Sequence, residues 1–271
     1  MFFRPRAVSL VVTLLVFLFA TATTSAATSV LPSTHVLALL TAQVLGTSSQ
    51  PLMPANVSPH DFNLKPSHIR RLHSAQLVVW LGPELEPYLA KIMEQIPQQK
   101  QLIISNGGSG TGYGLHPWTS PAYLLQGINQ LSQRLGTKWD DTLWLEKTEQ
   151  LQAQLSQHGQ SLSQNGQGYL VYHDGLDGFE AFFGLSHLES FTGADDQAPG
   201  AKRLASIVQL AEDGKVACIL VDHEVKHRLI DAVLGPEVKR IPIDILAANS
   251  NDLADYIRAL QKAVLACHLT A

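Results

Sequence analysis

Cysteine is scarce in this chain: 271 residues hold two, Cys218 and Cys267. That leaves room for one disulfide, which suits an oxidising compartment. Such a bond would close a loop of about fifty residues and stabilise by roughly 4 kcal/mol on the chain-entropy model. Two buried free thiols are the alternative. Basic runs are also missing, and the net charge is −4, which argues against a nucleic-acid partner. Short internal repeats are absent, so the chain is not an array of small units. Past the first twenty residues, no run is long and apolar enough to cross a membrane.

What is present begins with a targeting segment. Arg4 and Arg6 precede an apolar run from Ala7 to Ala20, and Thr24-Ser25-Ala26 supplies small residues for cleavage. Residues 1–26 read as a signal peptide, with the mature chain exported as a soluble protein; an uncleaved membrane anchor is the alternative, which the short apolar run disfavours. No cysteine follows the cleavage site closely, so a lipid-anchored start is not expected.

The mature chain alternates strand and helix patterns. "ATSVL" reads as a strand, "HVLALLTAQVLG" as a helix ending at Gly46, and "PLMP" as a short strand or turn. "KPSHIRRLHSA" is a helix with Pro66 near its start, "QLVVWLG" a buried strand, "ELEPYLAKIMEQI" an amphipathic helix and "QLIIS" a strand. A Gly-rich loop, residues 106–114, leads to a helix that Ser120 is placed to cap. A long Gln-rich helical stretch without proline follows. The pattern then restarts with strands "GYLVYH", "VACILVD" and "KRIPID", interleaved with helices. One of these has Pro199 in its first turn. The expected fold is α/β: two lobes with parallel sheets, 27–140 and 166–271, joined by a long rigid helix over 141–165.

"HEVKH", residues 223–227, fits H-E-x-x-H, in which two His one turn apart bind zinc and the Glu activates water. A zinc hydrolase also needs a third ligand, and no recognisable third-ligand motif follows. The alternative is a solvated helix face carrying Asp222, Glu224, Lys226 and Arg228. Three other His stand where strands end: His60 in "SPHDF", His116 in "LHPWTSP" and His173 closing "GYLVYH"; Asp244 closes "KRIPID". Ligands of open α/β sheets bind beyond the carboxyl ends of strands. Three imidazoles and a carboxylate make a four-coordinate site that suits zinc. Asp61 and Asp174, each following a candidate His, could orient an imidazole or cap the next helix. Trp118 could wall the site from water. His35, His68, His73, His158, His187, His223, His227 and His268 read as non-ligands.

These residues carry a family resemblance. "SPHDFNLKPSHIRRLHSAQLVVWLGPELEPYL" resembles the zinc-binding periplasmic solute-binding proteins of metal ABC importers. So do His116, Trp118 and Pro121, and so does the stretch with Tyr172-His173-Asp174, Phe182-Phe183 and Gly184-Leu185. The resemblance extends over essentially the whole mature chain. It implies two lobes with one metal in the cleft between them, bound by His60, His116, His173 and Asp244. It implies Zn2+ as transported ligand, delivery to a membrane permease, a second-lobe disulfide and no enzymatic activity. His at 173, where manganese-binding relatives often carry Glu, points to zinc. A monomer is expected. The rival readings are a zinc hydrolase using His223, Glu224 and His227, and a manganese-binding or adhesin-type relative. The chain departs from the pattern in the loop 105–114, which has neither His nor acid.

Overall fold

A computed structural model describes residues 29–57, 59, 62–104, 114–195, 197–222 and 227–267; for 156–165 and 227 it describes the backbone alone. The N-terminal lobe is built on β1 (Val30–Pro32), β2 (Leu77–Trp80) and β3 (Gln101–Ile103), parallel and in that order. The C-terminal lobe carries β4 (Gly168–His173), β5 (Ser190–Thr192), β6 (Val216–Val221) and β7 (Arg240–Pro242), parallel in the order β5-β4-β6-β7. Parallel strands need crossovers, and the apolar "LVVW" of β2 is buried throughout because helices cover both faces.

The crossover α1 (His35–Leu45) starts where Thr34 accepts a hydrogen bond from the Leu37 amide and stops at Gly46, whose φ of 69° suits a residue without a Cβ. The lobe continues with α2 (Pro66–Ser74), α3 (Pro87–Met93) and α4 (Pro121–Leu135). A 24-residue helix, α5 (Thr142–Asn165), joins the sheets. In the second lobe lie α6 (Asp177–Phe183), α7 (Ala201–Glu212), α8 (His227–Leu234) and α9 (Leu253–Ala266). Asp252 caps α9, and Cys267 at its end is bonded to Cys218 on β6. Both thiols are therefore spent on one bridge. No described helix is long and apolar enough to cross a membrane.

Several expectations need correction. Of the two readings of "PLMP", the strand does not form and the chain bends at Leu52-Met53: Pro51 and Pro54 lack amide donors, while Leu52 and Met53 bond the end of β1, through Pro32 O and Ser33 O. Ser120 stands at the N-cap of α4, yet its hydroxyl is buried and caps nothing. Pro199 precedes α7 rather than entering it, since Gly200 is the cap. Asp244 lies beyond β7, which ends at Pro242. The short edge strand β5 is absent from the sequence reading, because three residues carry too little periodicity to register.

The lobes share an apolar core. One cluster runs from Val36, Leu40 and Trp118 through Phe179 to Tyr256. Where α6 meets the turn Pro117–Thr119, the Phe179 amide donates to Thr119 Oγ1 at 3.1 Å. A Cβ on Gly178 would lie 2.9 Å from that oxygen and 3.0 Å from the Ser120 amide nitrogen, so only glycine allows the approach.

Candidate metal centre

His173 ends β4 and His116 precedes the Pro117–Thr119 turn, so one imidazole comes from each lobe. They meet: the two Nε2 atoms are 3.0 Å apart, the rings are nearly perpendicular, and the residues are 8% and 1% exposed. Trp118 packs its edge against His116 and donates its indole N–H to Ile245 O at 2.9 Å, linking the turn to the loop after β7. Tyr256 O–H donates to the same carbonyl.

The orientation of His173 is set from behind. Its Nδ1 lies 3.3 Å from Thr192 Oγ1, and that hydroxyl donates to Tyr172 O. A proton on Nδ1 completes the chain Nδ1–H to Oγ1–H to carbonyl and leaves the Nε2 lone pair facing His116. Thr192 is the site residue that sequence reasoning missed, because it sits on β5. The aromatic Phe191 followed by the β-branched Thr192 was the available signal. Gly175 closes the other side: a Cβ there would lie 2.8 Å from both His173 Cδ2 and Ile245 Cδ1.

Asp174 neither caps α6, whose N-cap position is Leu176, nor orients His173. It faces away toward His187, with 3.8 Å between Oδ1 and Nε2. His187 also contacts Glu180 at 2.9 Å, and Tyr169 O–H donates to Glu180. Burial works against a charged His187, but the Glu180 bond and the carboxylates of Glu180, Asp174 and Asp177 outweigh it and raise its pKa. Asp177, pressed by burial and by Asp174, is raised to about 7.

Asp244 is held by its own loop: its carboxylate accepts from the amides of Ala248 and Asn249 and from Asn249 Nδ2. His60, with Ser58 and Asp61, lies outside the described residues, as do residues 223–226 of HEVKH; α8 opens on His227. Among the described residues, no three His, Cys, Asp or Glu side chains converge to hold an ion. The described part of the arrangement is thus a pair of interlobe imidazoles whose Nε2 atoms face each other at hydrogen-bond distance, one donating to the other.

The model of the zinc-uptake complex component A family, periplasmic, matches residues 30–267. The chain belongs to that family. It is similar to the high-affinity zinc uptake system protein ZnuA of Yersinia pestis, 29% identical over 92% of each chain. Among solved structures, a zinc-bound ZnuA deletion mutant matches with a TM-score of 0.70 at 18% identity, covering 89% of this chain and 98% of that one. The laminin-binding protein of Streptococcus agalactiae, described as bifunctional in adhesion and metal transport, matches with 0.70 at 19% identity, over 88% and 99%. The ZnuA-type fold agrees with the two parallel-sheet lobes. Family membership sets the hydrolase reading of HEVKH aside, because the family is a binding component of importers and not an enzyme.

Proposed function

We propose that this chain captures Zn2+ in the periplasm and delivers it to the permease of a zinc ABC importer, which a separate ATPase powers. The ligands are His60, His116, His173 and Asp244, and the protein acts as a monomer. The observation that carries this reading is the pair of Nε2 atoms at 3.0 Å. Tetrahedral zinc with Zn–N bonds near 2.05 Å holds two nitrogens about 3.3 Å apart. A separation of a few tenths of an ångström thus exchanges the hydrogen bond for a bridging ion. Family membership and the zinc-bound relative of the same fold support the same cargo. A transport site must close around its ion without keeping a position for reacting water, and three imidazoles plus a carboxylate do so.

The test is zinc affinity by chelator competition on wild type, H60A/H173A and H223A/H227A. The proposal expects only the first pair to destroy tight binding. Loss on the second pair alone would overturn it.

A further inference from the structure

Three side chains of the short segment His116–Thr119 each reach a different element of the second lobe. His116 meets His173 at the end of β4, Trp118 donates its indole N–H to Ile245 O in the loop after β7, and Thr119 Oγ1 accepts from the Phe179 amide on α6. The segment is stiffened from within. Thr119 donates both its amide and its hydroxyl to His116 O, and Pro117 has a fixed φ. Trp118 is 3% exposed, so its N–H depends on the Ile245 carbonyl for a partner.

Ile245 is a telling place for that bond. It follows Asp244 directly in the chain, and its side chain stands near His173: a single Cβ on Gly175 would lie 2.8 Å from both His173 Cδ2 and Ile245 Cδ1. The Trp118 ring meanwhile packs edge-on against the His116 ring, with centroids 5.0 Å apart. One indole thus touches one proposed ligand through its ring and, through its N–H, the residue that borders two others. The same carbonyl accepts from Tyr256 O–H at 2.8 Å. Tyr256 belongs to the lobe of Ile245, so its bond fixes the loop within that lobe. The Trp118 bond crosses between lobes and sets the loop against His116.

We propose that Trp118 is a positioning residue of the metal centre: its indole N–H holds the Asp244 loop and the His173 side of the site at the distance from His116 that one ion spans. This rests on the zinc-capture reading above and deepens it. A binding constellation must be held to about 0.5 Å, and ligands supplied by two lobes keep that tolerance only if something besides the ion ties the lobes. The coupling is reciprocal: by whatever factor the tie tightens zinc, zinc tightens the tie. A Trp118 that only filled core space would change stability and leave the geometry of the site alone.

The experiment uses the mature chain. Zinc dissociation is timed by stopped-flow chelator capture for wild type, Trp118→Phe and Cys267→Ser, and the Co2+-loaded forms are compared by absorption. Trp118→Phe keeps an aromatic ring and removes the N–H, while Cys267→Ser is a destabilised reference whose lesion lies at the end of α9. The expected result is dissociation about three- to tenfold faster in Trp118→Phe, the worth of one hydrogen bond, with an altered Co2+ spectrum. Cys267→Ser should show neither change. A folded Trp118→Phe that releases zinc at the wild-type rate overturns the proposal, as does a Cys267→Ser that releases it equally fast. A second measurement needs no variant. In wild type with 15N-labelled tryptophan, zinc should slow hydrogen exchange of the Trp118 indole by about the same three- to tenfold, relative to that of Trp80, which is buried in a separate cluster with Leu31 and Leu72. Equal slowing of the two indoles in a protein that binds zinc overturns the proposal alone. A wild type that binds no zinc overturns the capture reading, and with it the role given to Trp118.

Discussion

His173 can serve as a ligand only if its ring is held in one tautomer and one plane, and two neighbours do this. Thr192 Oγ1 is placed to accept from Nδ1–H and Gly175 leaves room for the ring. Thr192→Val keeps the shape and removes the acceptor. Zinc affinity should fall about 10–100-fold by chelator competition, with little change in melting temperature. Gly175→Ala should lower affinity as well, because the added carbon displaces His173 or Ile245. Its signature is a weakened site with altered Co2+ absorption, whereas wild-type affinity would show that the ring has slack. Glu86 is a separate residue-scale case. Its buried carboxylate accepts from Ser33 Oγ, the Leu81 amide and Tyr88 O–H, tying the ends of β1 and β2 to the start of α3. Burial outweighs those bonds and raises its pKa to about 7.

At the level of elements, two joints hold the architecture. One is the disulfide from β6 to the end of α9, with Cα atoms 5.5 Å apart. Cys267→Ser should cost about 2–5 kcal/mol, read as a drop in melting temperature that added reductant does not increase further. The other is the contact of α6 with the Pro117–Thr119 turn. Gly178→Ala must push a side chain against Thr119 and the Ser120 backbone, at a cost of about 1–3 kcal/mol. Because this joint sets the distance from His116 to His173, zinc affinity should fall with stability. A loss of stability alone would mean that the turn and helix shift together. The 24-residue α5 also packs on α6 and α9 of the second lobe, with the Gln154–Gln261 hydrogen bond among its contacts. With the shared core, this favours small rearrangements over wide opening.

For the whole molecule, pH should move stability and binding in opposite directions. Glu86 and Asp177 have folded-state pKa values near 7, above their ordinary ones, and that of His187 is raised as well. Each group binds its proton more tightly when folded. Its contribution is full below the unfolded pKa and is lost as pH rises through the folded value. The melting temperature of the metal-free protein should therefore fall from about pH 5 to 8. Glu86→Gln should flatten that slope, its advantage over wild type growing with pH toward a ceiling of about 3 kcal/mol. A constant gap between the two would refute the assignment. Zinc affinity should instead rise over the same range, because imidazole ligands must be neutral. The sequence by itself determined the alternation of strands and helices, the long joining helix and His173 at a strand end, because periodicity and caps are local. Its motifs also sufficed to indicate the family. Only the tertiary structure decided that His116 meets His173, that Thr192 rather than Asp174 orients the ring, and that Trp118 bonds the Ile245 carbonyl. Those facts depend on contacts between residues 19 to well over 100 positions apart, and no local pattern records which of several polar neighbours packing will bring within reach.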